Sequence, residues 1–236
     1  MNRFRHIHRR LTAAFVAVGL SAIGGSIDLR ADSSAERLTE SATVLKEVMD
    51  TPDNAIPDDL LKTAYCVVIV PGVKKVGFGI GGKYGRGFIL CRKDNHGPWG
   101  APAAVRIEGG SIGFQIGVSE TDVVMLVMDQ RSISGILSSK FTLGGAAEVS
   151  AGPVGRSSTA QTDATMRAKI LSYSRSRGAF AGVALTGATL RQDLDQNKEM
   201  YGKPLSNKQI LNTGIKPPDT ATDLIGLLNK YSLVGG

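Results

Sequence analysis

The chain has 236 residues, 42% of them apolar, and a formal charge of +7, enough for one sizeable core or two small ones. Aromatic content of 6%, three histidines and two cysteines leave little for a base-stacking surface or a transition-metal site, and no CxxC or HxxxH spacing occurs. Part of the charge is local: residues 1–31 carry five arginines against Asp28, which leaves 23 bases and 20 acids, or +3, for the rest.

In chain order, Arg3 to Arg10 form a basic start before an uncharged run from Leu11 to Ile27, and Ala31 offers a small residue for cleavage. This predicts an export signal over 1–31. An uncleaved anchor is the alternative, but 17 residues with several Gly and Ser fall short of the roughly 30 Å of a bilayer core. Leu38, Ala42, Leu45 and Val48-Met49 recur at helical spacing, and Pro52 follows. Pro57-Asp58-Asp59 opens a short helix. Ala64–Val70 is a buried strand ended by Pro71-Gly72.

Strands follow at Val76–Gly82 and Gly85–Cys91, with a turn at Lys83-Tyr84, and a second turn covers Asp94–Pro98. Val105–Ile107, Ile112–Val118 and Val123–Met128 read as further strands, and Ser132–Leu137 as a short helix. Leu143–Ala151, Ile170–Ser174 and Phe180–Leu190 read as strands; Asp193–Tyr201, Asn207–Leu211 and Asp219–Tyr231 carry helical patterns. The fold class is α+β: an antiparallel, Gly-rich sheet or partly closed barrel flanked by N- and C-terminal amphipathic helices. The domain spans 32–212, with a linker and an amphipathic helix over 213–236. Cys66 and Cys91 both lie in strands, and a bridge or two buried thiols are equally compatible with that.

Two segments imitate enzyme motifs. Gly77–Lys83 lacks the following helix and hydroxyl residue of a phosphate loop, because strand signals continue through it. Gly109–Gly113 matches the nucleophile elbow in letters, yet no helix follows and the one histidine beyond residue 31, His96, lies upstream. Asp58-Asp59 and Asp193/Asp195 sit at helix starts, where carboxylates favour the positive dipole end. The reading is therefore non-enzymatic, with no cofactor and no metal.

Charge segregation is the stronger signal. Between Leu60 and Lys93 there is no acid, while Lys62, Lys74, Lys75, Lys83, Arg86, Arg92 and Lys93 carry seven positive charges. From Ala164 to Arg191 there is again none, against Arg167, Lys169, Arg175, Arg177 and Arg191. On one face these bases would attract an anionic surface at roughly 1 kcal/mol each. A solvated rim is the plainer alternative.

Glycines dense beside arginine carry a family resemblance. The segments are Pro71–Gly79, Gly81–Gly87, Trp99–Pro102, Gln115–Gly117, Thr121-Asp122, Phe141–Gly144, Ala151–Arg156, Tyr173–Val183 and Tyr201-Gly202. Across about residues 36–203 the chain resembles the SYLF domain family of lipid-binding modules. That resemblance implies a non-enzymatic module for membrane lipids, phosphoinositides in eukaryotic members, and actin in some fungal relatives. In the family, lipid binding is attributed to an N-terminal amphipathic helix. The matching helix here sets Glu36, Glu40, Glu47 and Asp50 against Arg37 and Lys46, net −2. That departure moves the expected lipid contacts to Lys74, Lys75, Lys83, Arg86, Arg92 and Lys93 in a 72–93 hairpin, and to Arg175 and Arg177. The expected partners are anionic phospholipid head groups, with a protein partner as the alternative and no nucleic acid. The expected location is the periplasm or the exterior, peripheral on a membrane.

Overall fold

The computed structural model describes residues 33–51, 56–78, 80–93, 97–112, 117–138, 140–144, 149–153, 168–176, 179–182, 185 and 187–232. Among these residues nine strands form one curled sheet: β1 (Cys66–Phe78), β2 (Ile80–Cys91), β3 (Ala103–Ile112), β4 (Gly117–Val127), β5 (Phe141–Thr142), β6 (Val149–Ala151), β7 (Ile170–Ser176), β8 (Ala179–Gly182) and β9 (Thr189–Gln192). Their order is β5-β9-β3-β2-β1-β4-β7-β6, antiparallel except for β6 on β7, and β8 pairs with the rest of that β7 edge. The described helices are α1 (Ser34–Asp50), α2 (Asp58–Thr63), α3 (Gln130–Ile136), α4 (Leu194–Tyr201), α5 (Asn207–Asn212) and α6 (Thr222–Ser232). The chain thus adopts the expected α+β architecture, a partly closed antiparallel sheet with helices at both ends.

Strand alternation divides the core in two. Val67, Ile69, Phe88, Leu90, Val124, Leu126 and Tyr173 face α1, α2 and α6. Val68, Val70, Val73, Ile89, Val105, Val123 and Met125 point the other way, toward Ile136 of α3 and Ile210 of α5. α1 is started by a capping box between Ser33 and Glu36, and its apolar stripe at Leu38, Ala42, Leu45 and Met49 is buried. Leu224 and Leu228 of α6 enter the same core, so the C-terminal helix packs on the domain and residues 32–236 make one compact unit.

Four expected boundaries are corrected. Pro71-Gly72 does not end a strand. It forms a β-bulge inside β1, where Val70 pairs with Val123 but Val73 with Thr121, so β1 carries one extra residue. Pro lacks an N–H for the ladder and is tolerated in a central strand at such a bulge; Gly72 takes φ +55° and donates its N–H to Asp122 Oδ1 at 2.9 Å. The β1–β2 register runs on through Lys75 opposite Lys83 to Phe78 opposite Ile80, so Lys83-Tyr84 are in mid-strand and not a turn. The expected strands Leu143–Ala151 and Phe180–Leu190 each divide, the first into a residue beside β5 and the separate β6, the second into β8 and β9. The expected strand over Ile112–Val118 falls partly on residues outside those described.

Cys66 and Cys91 are directly opposed in the β1–β2 register and are joined by a disulfide. With a sequence separation of 25, the bridge restricts the unfolded chain by about 3 kcal/mol on loop-closure grounds. The Cys66→Ala/Cys91→Ala variant should lower the urea midpoint accordingly, and wild type with reductant should match it. Coincident curves for oxidised wild type and the variant would contradict the bridge's role.

Candidate functional site

The bulge sets which residues share a face at the far end of the hairpin. A one-residue insertion turns every later side chain of β1 over. Lys74 therefore lies opposite Tyr84 and Glu120 on the α1 side, and Lys75 lies opposite Lys83 and Ser119 on the other. One step further, Val76 faces Gly82 and Val118. Val76 is 56% exposed and Val118 73%, with Tyr84 48% exposed beside them. Phe78, Ile80 and Ile112 continue the register to the tip. Glycines at 77, 81, 82, 109, 110 and 117 occupy much of the remaining ladder.

Lys75 and Lys83 are like charges in directly opposed positions, an arrangement that costs stability in a sheet. Neither ammonium has a carboxylate partner in its row, which runs Ser119–Lys75–Lys83–Gly109. Partial burial, and then the charge of Lys75, push the Lys83 ammonium below the usual lysine range. Among the described residues neither ammonium is paired with a carboxylate, and the exposed Val76–Val118 pair lies on the opposite face of the same stretch of hairpin.

The other basic residues expected to contact lipid stand in different surroundings. Arg86 donates from Nε to Asp193 Oδ2 at 2.7 Å, and that carboxylate holds its pKa above the usual guanidinium value. Across the same face Arg106 and Arg191 share Glu108, at 2.6 and 3.2 Å. Arg175 donates two hydrogen bonds to Asp122 Oδ2, at 2.8 and 2.7 Å, and pairs with Glu47 of α1. These partners tie β7, β4 and α1 together. The groove of about 420 Å³ between α1 and the hairpin contains Lys74, Arg86 and Arg175, but Glu40, Glu120 and Asp122 face them.

Arg92 is 9% exposed and serves the interior. It donates to the carbonyls of Leu61, Ala64, Gly97 and Ser232 and stacks 4.3 Å from the Trp99 ring centroid. Lys93 is exposed, at the end of β2 remote from the hairpin tip. Arg177 lies outside the described residues. The structure thus brings Lys75 and Lys83 together, places Lys74 on the opposite face of the same hairpin, and sets Arg86, Arg92, Lys93 and Arg175 apart from the pair. Sequence reasoning missed Val76, Val118 and Tyr84: alternation marks them as one face but not as the part of that face left uncovered.

α1 does not offer an apolar surface. Its stripe packs against the sheet and α6, and the exposed side carries Glu36, Glu40, Glu47 and Asp50.

Comparison with known proteins gives a consistent set. A family model for Ysc84, described as a Las17-binding protein actin regulator, matches residues 108–231. LAS seventeen-binding protein 3 of Saccharomyces cerevisiae is 36% identical over 183 residues, 75% of this chain and 39% of that protein. Protein YSC84 of the same yeast is 35% identical over 183 residues, 75% of this chain and 38% of its own. The SH3 domain-containing YSC84-like protein 1 of Rattus norvegicus is 30% identical over 199 residues, 82% of this chain and 58% of that protein. The chain spans about two-fifths of the length of the yeast relatives it matches.

Proposed function

The chain belongs to the Ysc84 (SYLF) family, and from that premise we propose that it is a non-enzymatic binding module that docks end-on, through the tip of the β1–β2 hairpin, on anionic membrane surfaces. The observation that carries this reading is the Lys75–Lys83 pair, with no carboxylate partner among the described residues, on one face of the hairpin end and the exposed Val76–Val118 pair on the other. End-on contact puts both faces of the hairpin at the interface, with the ammonium groups at head-group level and the valines below it. Lys74, Lys75 and Lys83 supply about 1 kcal/mol each near such a surface. Burying the exposed parts of Val76, Val118 and Tyr84 adds a similar amount per side chain. Weak, reversible, salt-sensitive attachment results. Among the described residues no helix is long and apolar enough to cross a membrane.

The relatives' names support a second reading. The family model is described as Las17-binding and one yeast relative is named for binding LAS seventeen, and an exposed apolar tip also suits a protein partner. For location, the basic start and uncharged run of residues 1–31 support export, and the Cys66–Cys91 bridge suits an oxidising compartment.

The test is co-sedimentation with phosphatidylglycerol-containing and pure phosphatidylcholine vesicles at low and physiological salt. Wild type should pellet with the anionic vesicles at low salt and lose most of that binding as salt rises. Lys75→Glu/Lys83→Glu should abolish it, and Arg175→Gln, already internally paired, should leave it within two-fold. Salt-independent binding, or a charge-reversal variant that pellets like wild type, would overturn membrane docking in favour of the protein partner.

A further inference from the structure

A second recess lies on the α3/α5 side of the sheet, at the end of β2 remote from the tip. Lys83 and Arg92 are nine positions apart, about 30 Å of extended strand. The groove has a volume of about 920 Å³, within the range of sites that hold small molecules. Cys91 and Ala101 form its floor, Ile133 and Leu137 of the α3 segment one wall, and Leu211 and Ile215 the other. Tyr65, Ile133, Leu211 and Ile215 pack on the core yet stay partly exposed there. The exposed Lys93 and Lys208 stand at the rim, and no acid occurs among the described lining residues.

We infer that this groove binds a long-chain fatty acid, with the acyl chain against Ile133, Leu137, Leu211 and Ile215 and the carboxylate at the Lys93/Lys208 rim. A mixed groove, with Ile133, Leu137, Leu211 and Ile215 beside the polar Gln130, Ser134, Ser138 and Asn212, with two lysines and no described carboxylate, complements an amphiphile carrying one negative head. A peptide strand is disfavoured because the floor has no free sheet edge. Cys91 pairs with Cys66 on one side, and its carbonyl accepts the Gly100 N–H at 2.8 Å on the other. Arg92 is committed to four carbonyls, so Lys93 and Lys208 provide the head-group charge. This inference does not rest on membrane docking, and the distance between the two places lets either fail alone.

The experiment titrates the purified full chain with a fluorescent palmitate analogue below its micelle concentration, then displaces it with palmitate or hexadecanol. Saturable binding of one probe per chain is expected, with hexadecanol at least ten-fold weaker than palmitate as a competitor. Lys93→Glu/Lys208→Glu, both on exposed side chains, should weaken binding ten-fold or more. Leu137→Trp, which fills the trough, should block it, while Val76→Asp/Val118→Asp should leave it unchanged. Non-saturable uptake, equal displacement by hexadecanol, or loss of binding in the tip variant but not the rim variant would overturn the assignment.

Discussion

Gly87→Ala should destabilise the domain by about 3 kcal/mol or more, in the upper range of overpacking effects. A β-carbon at position 87 would lie 2.0 Å from the Ile69 carbonyl oxygen and 2.7 Å from the Val70 α-carbon. Both are main-chain atoms of β1, a strand paired on both sides, so neither can retreat without breaking a ladder. The clash sits where β1 carries its extra residue, since the register with β2 jumps between Ile69 and Lys74. Neighbouring positions give a graded control. At Gly85 the added carbon would meet side-chain methyls of Val73 and Val70 at 2.8 and 2.9 Å, a milder clash that rotation relieves in part. At Gly82 the nearest atom is 3.9 Å away, so Ala should fit within about 0.5 kcal/mol of wild type. Urea midpoints should therefore fall in the order Gly82→Ala, Gly85→Ala, Gly87→Ala. A near-neutral Gly87→Ala would contradict the bulge geometry, and with it the side of the sheet on which each hairpin lysine sits.

Arg92→Ala should cost about 3–5 kcal/mol, the range for removing one partner from a buried charged network. Its guanidinium reaches the Leu61 and Ala64 carbonyls at the end of α2 and the Ser232 carbonyl at the end of α6. Terminal helix carbonyls lack intrahelical partners and carry partial negative charge, so a single cation caps two helices. The stacked Trp99 indole donates to Ser232 Oγ at 2.8 Å and completes the joint. Lys at 92 should recover only part of the loss, because one ammonium cannot reproduce the planar fork. Limited proteolysis should also release α6 first in Arg92→Ala. If stability fell while α6 stayed as resistant as in wild type, the two-helix cap would be the wrong account.

Helical spacing made α1 and the C-terminal helices legible in the sequence, and the structure adds how two of them begin. Ser33 with Glu36 and Ser206 with Gln209 form the capping boxes that start α1 and α5. The family motifs at 151–156 and 173–183 were also legible, and the structure shows a reason for the first glycine. A β-carbon on Gly152 would lie 2.0 Å from Tyr173 Cζ, so the small residue lets β6 close on a buried ring. Long-range pairing was not legible. Arg86 finds Asp193 at a separation of 107 residues and Arg175 finds Asp122 at 53, and no local pattern announces such partners. The bulge hid the site itself: Pro71-Gly72 reads as a stop, which displaces the turn and conceals that Lys75 faces Lys83.

Insertion of the hairpin tip is tested most directly by Val118→Trp. Position 118 is exposed, whereas Trp99, the single native tryptophan, is buried and gives a constant background. With anionic vesicles at low salt, the new indole should shift to the blue and be quenched by lipids brominated on their acyl chains. High salt or phosphatidylcholine alone should leave its emission as in buffer. If the protein pelleted with anionic vesicles while the indole at 118 kept its aqueous emission and escaped quenching, end-on docking through this tip would be contradicted.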